Sequence, residues 1–101
     1  MTTIETIQRA IIKLERTAGS PVAIRELRPA LADELPGEAF DAAMLQAFRT
    51  ACPTGGVEVN YVRCDPATHT FNAEAMVVWP TNPPAWINYV AVNNDNPIRS
   101  K

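Results

Sequence analysis

The hydrophobic period of this chain changes once, near its middle. From Thr3 to Ala51 apolar residues recur at helical spacing, and from Val57 to Trp79 they alternate. A helix buries a stripe, whereas a strand buries every second residue, so one pattern cannot serve both elements. The chain is therefore expected to begin as helices and to close with a sheet, an α+β arrangement. Pro53, Gly55 and Gly56 stand at the changeover, where both residue types stop a helix. With 101 residues, 47% of them hydrophobic, the chain can bury one core. A single domain over residues 1–96 is expected, with residues 97–101 as a flexible tail.

Three helices are predicted. The first runs from Thr3 to Ala18 with Ile4, Ile7, Ile11, Leu14 and Ala18 on one face; Thr3 is its expected N-cap and Gly19 its stop. Ser20-Pro21-Val22 is an extended link, because proline pushes the preceding residue out of the helical region. The second helix starts near Ala23 and buries Ile24, Leu27 and Leu31. Pro29 removes an amide donor and should kink or end it near Arg28, leaving residues 30–34 as a looser turn. Pro36-Gly37-Glu38 opens the third helix, with Phe40, Met44, Ala47, Phe48 and Ala51 inward.

Strands follow. Val57, Val59 and Tyr61 alternate with polar neighbours up to a turn at Asp65-Pro66-Ala67-Thr68. Beyond the turn, Phe71, Ala73, Ala75, Val77 and Trp79 share a face. A loop over residues 65–69 then pairs Tyr61 with Ala73 and Val59 with Ala75, so that both apolar faces coincide. The strand is the preferred reading, but Asn72-Ala73-Glu74-Ala75-Met76 would also make a short capped helix, and that alternative stays open. Trp86 to Val92 is β-rich and should return beside an earlier strand.

Helix, short extended link, helix, turn, helix, strand, wing and strand is the order of a winged helix-turn-helix. Val22-Ala23-Ile24-Arg25-Glu26-Leu27-Arg28 resembles the entry to the second helix of that superfamily, and Glu38-Ala39-Phe40-Asp41-Ala42-Ala43-Met44-Leu45 resembles its amphipathic third helix. The resemblance is one of pattern, covers roughly residues 1–92, and departs from the family at Pro29 and at the acidic start of the third helix. It implies a winged-helix-like fold of three helices and a small antiparallel sheet with a hairpin wing. It also implies duplex DNA against the third helix and the wing.

Net charge is −2 and the isoelectric point about 5.3. That balance argues against strong non-specific binding to nucleic acid. Cys52 and Cys64 lack metal or redox spacing and are expected to be reduced and partly buried. The N-terminal sequence lacks the basic start and long apolar core of a signal peptide, and no run is long enough to span a membrane, so a cytoplasmic location is expected. Cys64 and His69 do not qualify as a nucleophile and base, because nothing orients the histidine. His69 is the one histidine, and no carboxylate cluster replaces a histidine metal site. No cofactor is expected.

Candidate binding residues are of two kinds. Gln46 and Arg49 can read base edges, with Thr50 beside them on the third helix and Arg63 at the wing. Arg9 and Lys13, continued by Arg16, form a basic stripe on the first helix. The bland alternatives are a helix whose terminal charges suit its dipole and an ordinary solvated face. Trp79 and Trp86, with Tyr89, are candidates for an exposed aromatic patch that docks a partner. Two non-enzymatic, regulatory functions follow. One is a DNA-binding transcriptional regulator acting as a homodimer. The other is an acidic protein-interaction module, an adaptor, subunit or inhibitor, that uses a winged-helix scaffold without DNA.

Overall fold

The computed structural model describes residues 2–49 and 59–100. Among these lie three α-helices, four strands and a 3-10 helix: α1 (Thr3–Leu14), β1 (Val22–Ala23), α2 (Ile24–Ala30), α3 (Glu38–Arg49), β2 (Asn60–Pro66), β3 (Val77–Trp79), β4 (Ala85–Ala91) and η1 (Pro97–Ser100). The fold is α+β, helices against a small antiparallel sheet, and its elements follow the expected order along the chain. None of its helices is long and apolar enough to cross a membrane, among the described residues.

Helix α1 is capped one residue before the expected position. Thr2 Oγ1 accepts the Glu5 amide at 3.1 Å. It also ends a turn early, at Leu14, because side chains take the amides that a further turn would use. Ser20 Oγ accepts from Arg16 and Thr17, and the Glu15 carboxylate accepts from Gly19. Gly19 has φ +82°, which glycine alone adopts cheaply. Pro29 stands in the last turn of α2, which ends one residue later; residues 31–35 then make a looser turn closed by Leu35 N–H to Leu31 O at 2.8 Å. Thr50 and Ala51, expected on the third helix, lie outside the described residues, as do Cys52 and Val57.

The sheet departs from the expected pairing. The turn comes one residue late, with His69 donating to Pro66 O at 3.0 Å. Residues 71–76 form neither a paired strand nor a helix. Asn72 Oδ1 accepts the Glu74 amide and Asn72 O the Ala75 amide, a local turn that competes with both. The expected opposition of Tyr61 to Ala73 is replaced by Tyr61 against Val90, and β3, reduced to Val77–Trp79, pairs with β4 rather than β2. β4 is the central strand: β2 runs along one edge, and β1 and β3 share the other. Its sequence AWINYVA suits that place, since a central strand tolerates apolar residues on both faces.

Val22, Val77, Ile87, Val90 and Val92 cover one face of the sheet and meet Ile7, Ile11, Ile24, Leu27, Phe40 and Met44 from the helices, all essentially inaccessible to solvent. Each such side chain contributes about 1.5–3 kcal/mol on burial. Residues 97–100, expected to belong to a flexible tail, instead belong to this unit. Ile98 is buried in the core, and Arg99 is tied to Glu15 at 2.6 Å and 2.9 Å.

Candidate interaction surface

One of the two acids at the start of the third helix is neutralised. Asp41 is held by Arg28 through two contacts, at 2.9 and 3.4 Å. The same guanidinium donates to Met76 O at 3.2 Å and lies 4.4 Å over the Phe40 ring. Arg28 thus binds α2, α3 and the 72–76 turn at one point, and Asp41 is no longer an uncompensated charge facing outward. Arg28 Nε is buried without an acceptor. Glu38, Ala39, Ala42, Gln46 and Arg49 are exposed on α3. Thr50 lies outside the described residues.

At the C-terminal end of α3, Phe48, Tyr61 and Trp79 pack as a triangle with ring centroids 5.7–5.9 Å apart. Arg49 lies 5.6 Å over the Trp79 ring. Trp79 opposes Ala85 in the register and faces the core. Trp86 opposes Val78 and therefore stands on the other face, where it stacks with Phe71 at 5.0 Å and donates its indole N–H to His69 O. The three aromatics expected to form one patch are thus divided by the sheet: Trp86 and Tyr89 are on the outer face, Trp79 on the inner.

That outer face is shaped by two compensating irregularities. β2 gains a residue at Val62 and β4 gains one at Asn88, on either side of the pair Arg63–Tyr89. Bulges re-aim side chains. Here Val62 and Tyr89 emerge into solvent, Val62 half exposed, whereas Val90 returns to the core. Asn88 is drawn inward to 9% exposure and donates Nδ2 to Asp65 Oδ2. Asp65 also accepts from Arg63 Nε at 3.3 Å and has His69 Nδ1 at 4.0 Å. A carboxylate only accepts, so this partner fixes the amide orientation, and Asn88 Oδ1 is left buried without a donor. Between the two strands, the start of α2 and the 72–76 turn lies a cleft of about 230 Å³.

The candidate cations do not converge. Arg9 and Lys13 flank a shallow depression with Ile98 and Arg99. Arg63 borders the outer face with Arg25 and, across a neighbouring depression, Arg16. Arg49 sits with the aromatic triangle. Cys64, expected partly buried, is exposed on the edge strand; desolvation and then the nearby Asp65 charge push its thiol pKa up, which disfavours a reactive thiolate. Arg25, Asn88, Val62 and Phe71 were not singled out by the sequence. A bulge shifts the hydrophobic alternation by one residue, but only the pairing register shows which strand carries it and where. Comparison with protein-family models, curated proteins and solved structures gives no match.

Proposed function

We propose that this chain is a non-enzymatic protein-interaction module, built on a winged-helix-like scaffold, that docks a protein partner on the outer face of its sheet. The observation that carries this is the segment in the wing's place. Residues 67–84 join β2 to β4 and contain no Lys or Arg. A wing without cations cannot neutralise phosphates, and phosphate contacts supply most of the affinity for DNA. That segment exposes Phe71 and Val78 instead, beside Val62 of β2 and Tyr89 of β4. Apolar surface gathered on one side of a small domain, rimmed by Arg63 and Arg25, has the composition of a docking surface, where aromatic and arginine anchors dominate. A second copy of the chain is the simplest partner, because closed two-fold dimers are the commonest assemblies.

Sedimentation equilibrium tests this. The wild-type chain is expected to associate with concentration, and Val62→Glu to weaken association by about tenfold or more. Labelled duplex DNA should show no binding at low salt. A strict monomer that binds duplex with a steep salt dependence overturns the proposal. One observation favours that second reading: Arg28 neutralises Asp41, so the entry of α3 repels phosphate less than its sequence suggests. In that case Gln46 and Arg49 read the bases, and Arg49→Ala relaxes specificity.

A further inference from the structure

We infer that a second copy of this chain adds to the open edge of β2, strand against antiparallel strand, across a two-fold axis at Cys64. The inference rests on the docking reading in taking a second copy as the partner, and goes further in fixing the contact and its register. β2 is an edge strand. β4 pairs with one side of it, and among the described residues no strand takes the other. Alternate N–H and C=O groups of a strand point away from its neighbour, so the free side of β2 is a row of donors and acceptors ready for a further strand. Tyr61, Val62, Arg63 and Cys64 are exposed in succession. A strand covered on one face would alternate instead, so both faces reach solvent along this edge.

The charges say which strand fits. Edge strands commonly repel their own copies with like charges. β2 instead carries Arg63 and Asp65, opposite in sign, on one face and on either side of Cys64. Opposed residues of an antiparallel pair share a face, so a two-fold axis falls on a residue. On Arg63 or on Asp65 it would set like charges against each other. On Val62 it would bring two bulges together and oppose Asp65 to the buried Val59. On Cys64 it sets Arg63 of each copy opposite Asp65 of the other. The backbone points to the same centre. The bulge at Val62 and Pro66, which has no N–H, bound the stretch of β2 free of both, residues 63–65. Capacity for the cross-pairs remains. Within its own strand Arg63 spends only Nε, and each Asp65 oxygen accepts one donor, from Arg63 or from Asn88. Pairing in this register makes one continuous sheet of the two copies and joins their outer faces.

The test reads the main chain of the ¹⁵N-labelled wild-type protein by amide hydrogen exchange at rising concentration. The outward amides among residues 63–65 should exchange about tenfold more slowly in the associated form. Opposed residues stand about 4.5–5.5 Å apart at Cα, a separation that a disulfide spans. Diamide takes up the two protons and two electrons that a pair of thiols gives up, and it should join Cys64 to Cys64 of the second copy, mapped by peptide mass spectrometry. Mildly alkaline pH is used, because burial and the Asp65 charge raise this thiol's pKa. Arg63→Glu, at an exposed side chain, opposes carboxylate to carboxylate and should weaken association about tenfold in sedimentation equilibrium. Association without slower exchange at residues 63–65 overturns the inference and leaves the docking reading standing, with the second copy on the face of the sheet. Cross-links that avoid Cys64, or association unmoved by Arg63→Glu, overturn it as well. A chain that stays monomeric overturns it together with the second-copy reading, and leaves this edge to a strand of a different protein.

Discussion

Arg28 and Arg99 each close a distance in the chain that no local pattern spans. Arg28 joins α2 to α3 and to Met76 O; Arg99 joins η1 to Glu15 at the end of α1 and also donates to Val92 O and Asn93 O. The Arg99–Glu15 pair is the more buried, with 15% and 7% of the side chains exposed. Hydrogen bonding to Arg99, opposed by desolvation and aided by the Gly19 amide, holds the Glu15 carboxyl below its ordinary pKa. A carboxyl with a lowered folded-state pKa contributes stability that is complete above its unfolded value. That contribution is lost as the pH falls through the folded one. Glu15→Gln should therefore destabilise the protein at neutral pH and flatten the acid limb of its stability profile, measured by urea unfolding across pH. An acid limb identical to wild type would refute this. The partner of Glu15 lies at the far end of the chain, where no local spacing rule reaches.

At the scale of elements, helix boundaries were set by side chains that the periodicity ignores. α1 stops at Leu14 although Ala18 continues its apolar stripe, because Ser20 and Glu15 capture the next amides. Gly19 lies against Asn94, and a Cβ on it would come within 2.6 Å of Asn94 Oδ1. Gly19→Ala combines that clash with the left-handed penalty, and a loss of about 1–2 kcal/mol is expected in thermal denaturation. An unchanged melting temperature would show that this loop yields. The three helices were legible because each carries a long stripe and a stop. The sheet was legible as strand content but not as pairing. Asn72 bonds its own turn, which removes residues 71–76 from the ladder, and β4 outcompetes them for β2 by having apolar residues to offer both faces.

For the whole molecule, the tail is the clearest measure of what long-range contact adds. Deleting residues 97–101 removes Ile98 from the core and leaves Glu15 without Arg99. Breaking a buried pair from one side costs about 3 kcal/mol or more. In a chain of this size that lowers the melting temperature by about 12 °C or more. A truncated protein that melts with the wild type would mean that η1 is merely laid on the surface. The same argument separates the candidate residues. Arg9, Lys13, Arg49 and Arg63 share a charge but not a surface, and Trp79 and Trp86 share a strand pair but not a face. By itself the sequence determined the α+β class, the three helices with their buried stripes and the β character of the second half, because local periodicity and stop signals encode these. Only the tertiary structure decided which strands pair, where the bulges fall, and which charges meet Arg28 and Arg99. Those outcomes depend on competition between segments far apart in the chain, and no window of sequence contains both competitors.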